Sequence, residues 1–398
     1  MVLVRVLLPA LLLFLIATRK NELLIGEIAD FDLADAIFSS ALPTFWAELG
    51  AYTSQLAIVI LVALLASRSD FRRPALPALL YGAFAIFYNL RIADSDAIAE
   101  SAGGIIVAGC ICLLSLRPSD VRRQLQLATQ TRDAFVLFAL SYVGVNFVLM
   151  ISGYGYHGYR FSGLSYHPNQ FAQIAALSTA GLLLASSQAT TWSLRATLWT
   201  GAALAVVLLI AAGSRGALVC LFVGLFAIVY LKRGSRWVVL ATAATAALLF
   251  GSLFYLDTGD ELLARLLDTG DNRSEAFQLM WDTFLDYPLI GNGTNAGATE
   301  NSMLKALAAT GLVGGILFAG FLGTALVQAL KVLAARQALP QQVLVAVLVL
   351  MVLSSSLLDG YMVEKLSFSG VLLVLMLASV GDLARPGSVG MAEPGASH

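Results

Sequence analysis

Seven polar residues stand out in this chain, because each sits at the edge of an apolar or glycine-rich stretch where a charge or amide needs a reason. They are Arg160, His167, Asn169, Arg215, Arg273, Glu300 and Asn301. Arg160 lies in the string Tyr154-Gly-Tyr-His-Gly-Tyr-Arg-Phe-Ser-Gly163. A guanidinium among aromatic faces suits an anion or a sugar, whereas an aromatic belt with an arginine reaching for headgroups would look the same. His167-Pro168-Asn169 opens an apolar run. Asn169 could cap a helix there, and His167 could titrate near neutral pH or merely be solvated. Arg215 sits in Ala212-Gly-Ser-Arg-Gly216, a very short turn between two apolar runs. The glycines let the backbone turn tightly, and Ser or Asn would serve a plain turn equally well, so the guanidinium points to anion binding.

Arg273, in Asp271-Asn-Arg-Ser274, starts a helical pattern. It could favour an anion at the helix N-terminus, or pair with Asp271 or Glu275 as a solvated bridge. Glu300-Asn301 precedes the apolar run that begins at Met303. A carboxylate there complements a helix dipole or, beside a bound substrate, serves as a general base. His157 and His167 are the other candidate bases, since the third histidine is His398. Asp30-Phe-Asp32 and Asp94-Ser-Asp96 have the spacing of divalent-cation ligands, but they lie in generally acidic surroundings, and no metal site is assigned. Cys110, Cys112 and Cys220 fall inside apolar runs, which argues against both a disulfide framework and a thiolate metal site.

The elements that must position these residues follow from composition. Hydrophobic residues make up 59% of 398 and charged residues 12%, with mean hydropathy +0.82. A soluble domain carries about 25% charged residues. Half that density cannot coat a water-facing surface of this size, so the expectation is an all-α polytopic membrane protein. The net charge of −1 and the lack of a long basic run speak against nucleic acid as a partner.

A span needs about 20 mainly apolar residues. Windows of that size give about twelve: 2–18, 46–67, 75–90, 99–116, 134–152, 167–186, 193–212, 216–231, 237–256, 303–330, 341–358 and 366–382. The run 6–17 resembles the core of a signal peptide, but no small-x-small site precedes Arg19, so it reads as a retained first span. With the N-terminus in the cytoplasm, fifteen of the 24 Lys and Arg fall on the inner side, and the acidic residues divide the opposite way. One large external loop, 257–302, then joins spans 9 and 10. It contains the repeat Leu-Asp-Thr-Gly-Asp at 256–260 and 267–271, a surface-lying turn at 261–267, and a helix over about 274–285 that ends before Pro288. A short surface helix is expected within 19–45. Residues 1–383 form a single transmembrane domain, and 384–398 a disordered cytoplasmic tail.

Taken in order, the strings resemble the O-antigen ligase/polymerase superfamily of bacterial membrane glycosyltransferases. They are Arg160-Phe-Ser-Gly163, His167-Pro-Asn169, Gly213-Ser-Arg-Gly-Ala217, Arg273, Pro288-Leu-Ile-Gly-Asn-Gly293, Glu300-Asn-Ser-Met-Leu304 and Thr310-Gly-Leu-Val-Gly314. The resemblance covers about 130–330. It implies an enzyme of the bacterial inner membrane with its active site facing the periplasm and no cofactor. The donor would be an undecaprenyl-diphosphate-linked glycan. The acceptor would be a second lipid-linked unit (polymerase) or lipid A-core (ligase). Arg215 and Arg273 match the family's diphosphate-contacting arginines. Arg160, His167, Asn169 and Asn301 would line the substrate site. Glu300 stands where ligases usually have histidine, which tilts the expectation toward a surface-polysaccharide polymerase. A flippase or transporter of lipid-linked oligosaccharide is the rival of a different class. It would carry duplicated halves and polar residues at mid-membrane, neither of which is seen in the sequence.

Overall fold

In lipid an apolar run must satisfy its backbone within itself, and a helix is the way a single segment does so. The computed structural model bears this out, describing residues 2–18, 71–74, 76–91, 116–118, 121–157, 160–165, 167–231, 273–293, 301–334, 339–363 and 368–380. The helices are α1 (Val2–Ala17), α2 (Leu76–Arg91), α3 (Val121–Ile151), α4 (Pro168–Ser186), α5 (Trp192–Ala212) and α6 (Arg215–Leu231). After them come α7 (Arg273–Asp286), α8 (Ser302–Ala334), α9 (Pro340–Ser356) and α10 (Phe368–Val380). The expected spans 46–67, 99–116 (Leu116 excepted) and 237–256, the segment 19–45, half of the 257–302 loop and the tail lie outside the described residues. Among the described residues, three helices, over 122–151, 192–212 and 302–332, are long and apolar enough to cross a membrane.

Local chemistry sets several helix ends. Pro340 begins α9, with the Gln342 side chain accepting from the Leu339 N–H at 2.8 Å. Gly213 ends α5 in the left-handed region, at φ 59° and ψ 40°. The fifth expected span starts earlier than its hydropathy suggests, because α3 reaches back to Val121. Residues 121–133 are polar but rich in good helix formers, and a hydropathy window sees only the apolar part. Two short antiparallel ribbons add to the helices. One pairs β1 (Phe71–Pro74) with β2 (Leu116–Pro118), and the other pairs β3 (Tyr156–His157) with β4 (Arg160–Phe161).

Side-chain contacts sort the helix ends into two sets. At one end, Arg132 donates to Gln188 Oε1 and Gln341 donates to Thr129 Oγ1, both at 2.9 Å. At the other end, Ser165 Oγ donates to the Ala17 carbonyl, Arg160 to the Ala212 carbonyl and Asn301 to the Leu357 carbonyl, again each at 2.9 Å. This second end carries the candidate site residues. A ladder of aromatic rings leads up to it. Phe368 packs tilted against Phe138 (centroids 5.2 Å apart), Phe138 against Tyr142 (5.4 Å) and Tyr142 against Phe171 (5.9 Å), and Phe171 meets Phe161, the residue after Arg160, edge to face (5.0 Å). Val219, Phe222, Phe226 and Tyr230 of α6 are exposed at helical spacing, as a lipid-facing stripe requires.

Candidate active site

Arg160 is held by hydrogen bonds to two other segments. Its Nε donates to the Ala212 carbonyl at 2.9 Å, and its Nη2 donates to Asn169 Oδ1. The side chain is 6% exposed. The guanidinium thus joins three segments: the β3–β4 ribbon, the start of α4 and the end of α5. Ala212 is an orphan carbonyl at a helix C-terminus, where a cation is favoured. Arg160 lies beneath the surface and supports the turn that presents Arg215.

The helix cap expected of Asn169 comes instead from His167. Its Nδ1 accepts from the Asn169 N–H at 3.1 Å, and Pro168 occupies the first helical position. The physical reason is position. Pro168 has no N–H, so the first donor in reach belongs to residue 169, and the acceptor must come from residue 167. The Asn169 side chain is left to face Arg160.

Arg215 is the first residue of α6 and is exposed. The left-handed Gly213 and the buried Ser214 precede it. Arg160 bonds to a carbonyl only three residues away, so the Arg215 Cα is at most about 11 Å along the chain from that anchor. Gly216 follows, and a Cβ at that position would come within 3.1 Å of Asp359 Oδ2. The missing side chain is what lets the Asp359 carboxylate lie against the N-terminal turn of α6.

Asp359 was not anticipated. It is 5% exposed and lies just after α9. Its carbonyl accepts from Ser302 Oγ at 2.7 Å, which ties it to the start of α8. Asn301 caps that helix, with Oδ1 accepting from the Met303 and Leu304 N–H groups at 2.9 and 3.0 Å, while its Nδ2 reaches the Leu357 carbonyl. Continuous contacts therefore run from Asn169 through Arg160 and the Gly213–Gly216 turn to Asp359, Ser302 and Asn301. The signal for Asp359 was present in the sequence: a lone carboxylate closing an apolar run, by the same logic that singled out Glu300. Lys305, also overlooked, is 2% exposed one turn further into α8.

Glu300 directly precedes Asn301 in the chain but lies outside the described residues. Arg273 is the first residue of α7, and its side chain is likewise outside them. His157 belongs to β3, with its side chain undescribed. The contacts given above thus unite Arg160, His167, Asn169, Arg215 and Asn301, and leave the placement of Glu300 and of the Arg273 guanidinium open.

The segment after α7 does have a defined seat. Helix α8 is broken at Gly311, with φ 62° and ψ −160°. Residues 288–293 fit into the break. The Asn292 and Gly293 N–H groups donate to the Ala308 and Ala309 carbonyls at 3.1 and 3.2 Å. In return, the Leu312 and Val313 N–H groups donate to the Pro288 and Leu289 carbonyls at 2.8 and 3.2 Å. The two strings Pro288–Gly293 and Thr310–Gly314 are thus halves of one joint. From Leu312 to Val332 the helix measures about 30 Å at 1.5 Å per residue, which is the thickness of the hydrocarbon layer.

Residues 200–319 match the family model described as O-antigen ligase. The matched region contains the Gly213–Gly216 turn, α7, Glu300 and the break in α8. It supports the O-antigen ligase/polymerase superfamily and, with it, a membrane glycosyltransferase of that type acting on lipid-linked glycan. No curated protein matches the chain.

Proposed function

We propose that the chain is a glycosyltransferase of the bacterial inner membrane that works on the periplasmic face. It moves glycan from an undecaprenyl-diphosphate-linked donor to the hydroxyl of a second lipid-linked unit, as a surface-polysaccharide polymerase does. The observation that carries this reading is that Asp359, from beyond the region matching the O-antigen ligase family, links two parts of that region, the Arg215 turn and Ser302 at the start of α8. The sorting of helix ends into two sets supports a bundle of helices running across a membrane.

In this reaction the acceptor oxygen forms a bond to the anomeric carbon, and the bond from that carbon to the diphosphate oxygen breaks. Negative charge grows on the leaving diphosphate. Arg215 and Arg273 would stabilise it with bidentate donors, without a metal. Glu300 would take the acceptor hydroxyl's proton, given enough desolvation to bring its pKa toward neutrality. Arg160, His167, Asn169 and Asn301 would shape the substrate site, chiefly by fixing the backbone that carries the reacting groups. Transfer onto lipid A-core is the second reading, favoured by the description of the matched family as ligase. The glutamate at position 300 speaks for the polymerase.

The test is turnover of undecaprenyl-diphosphate-linked glycan, isolated from a strain lacking the gene, by purified protein. Glu300→Gln keeps shape and hydrogen bonding but cannot accept a proton. Turnover should fall by about 10²–10⁴-fold at unchanged donor binding. Near-normal turnover would remove Glu300 from the mechanism. Chain extension in the presence of this donor alone favours the polymerase, and a strict requirement for lipid A-core favours the ligase.

A further inference from the structure

Arg91 ends α2, about 200 residues ahead of the joint in α8. Its Nε donates to the Ile290 carbonyl at 2.9 Å and its Nη2 to the Gly291 carbonyl at 2.8 Å. Its own backbone comes so close to Gly293 that a Cβ there would lie 2.6 Å from the Arg91 carbonyl oxygen. One residue thus grips both ends of the 290–293 turn. The seat beneath is equally tight: a Cβ on Gly291 would lie 2.3 Å from the Ala309 carbonyl carbon, and one on Gly311 2.4 Å from that of Leu289.

We propose that Arg91 is a positioning residue for the transfer reaction. It latches the 288–293 segment into the break of α8 and so fixes α7, the helix that begins with Arg273. The mechanical path is short and stiff. Helix α7 ends at Asp286, the Tyr287 N–H still bonds back to the Thr283 carbonyl at 3.2 Å, and the Gly291 N–H bonds to the Tyr287 carbonyl at 3.0 Å. No slack remains between the helix and the latch. The same α8 bears the Asn301 cap about 14 Å above the break, at 1.5 Å per residue. Locking the turn into α8 therefore locks the Arg273-bearing helix to the element that Glu300 precedes. A fork of two parallel donors suits two successive carbonyls, whereas an ammonium group is a single point. A simpler role, a cation complementing the C-terminus of α2, would be served equally by lysine. Arg91 lies well outside the region that matches the family.

The proposal rests on the assignment of Arg273 to the donor diphosphate, and the test separates the two. Arg91→Lys keeps the charge and the helix-end interaction but loses the fork. Turnover of the accumulated undecaprenyl-diphosphate-linked glycan should fall about ten- to hundredfold, in kcat, with the unfolding temperature unchanged. Hydrogen exchange at the Asn292, Gly293, Leu312 and Val313 amides should accelerate, while the amides of α5 keep their rates. In an Arg273→Lys background, Arg91→Lys should add little, because the group it positions is already impaired. Wild-type turnover or unchanged exchange in Arg91→Lys overturns the latch. Losses that simply multiply in the double variant overturn the route through Arg273. If Arg273→Lys alone retains full turnover, the diphosphate assignment fails, and the latch is judged by exchange and by the Arg91→Lys rate.

Discussion

Replacing Gly311 by alanine puts a methyl group where the structure has no room and a backbone conformation where alanine is rarely found. At φ 62° and ψ −160° the residue lies in a region that is essentially glycine-only, and holding another residue there costs about 1–3 kcal/mol. The added Cβ would also stand 2.4–2.5 Å from Leu289 C, Leu289 O and Ile290 N. The chain can escape by straightening α8. The Leu312 and Val313 N–H groups would then bond to the Ala308 and Ala309 carbonyls as in an ordinary helix. Four inter-segment bonds would be exchanged for two helical ones, and the 288–293 turn would be expelled along with its Arg91 contacts. At about 0.5–1.5 kcal/mol per bond, the net loss of four, Arg91's two included, is about 2–6 kcal/mol before packing is counted. Staying bent would add the clash at 2.4–2.5 Å to the backbone strain, so the expected outcome is local release of the turn without global unfolding. Limited proteolysis in detergent should cut within 288–293 in Gly311→Ala and spare the wild type, and turnover should fall. Gly323 in the same helix is the control. A Cβ there meets nothing within 4 Å, so Gly323→Ala should be neutral or stabilising by up to about 1 kcal/mol. Equal protease resistance of Gly311→Ala and wild type would refute the joint.

His167→Ala should cost about 1 kcal/mol through loss of the α4 cap, with turnover within a fewfold of wild type at matched folded protein. A loss beyond a hundredfold would instead make His167 the general base in place of Glu300. Single cysteines in 257–302 should react with an impermeant thiol reagent in outer-membrane-permeabilised cells, and cysteines in 68–74 should not; the reverse pattern would invert the topology.

Hydropathy and helix signals are local, so the sequence alone determined what local rules govern. It gave the membrane class. It gave the helices near 2–18, 75–90, 167–186 and 193–212 to within a few residues, and the helix after Arg273 that stops before Pro288. It also singled out Arg160, Arg215 and Asn301 as residues needing a reason. What it left undecided involves partners far apart in the chain. Nothing in the Arg160 string says that its guanidinium is buried against Ala212 and Asn169. Asn169 read as the cap until the missing N–H of Pro168 and the approach of Arg160 gave the helix to His167 and Asn169 to the arginine. Asp359 became part of the site only because α9 packs its end against Gly216 and Ser302, and Arg91 only because α2 runs beside α8. Most telling is α8 itself, where an unbroken apolar run read as a continuous helix. The break at Gly311 exists because a segment some twenty residues earlier supplies the hydrogen bonds that the helix gives up. A backbone can depart from helix at such depth only where other protein replaces the lost partners, and that is decided by tertiary structure.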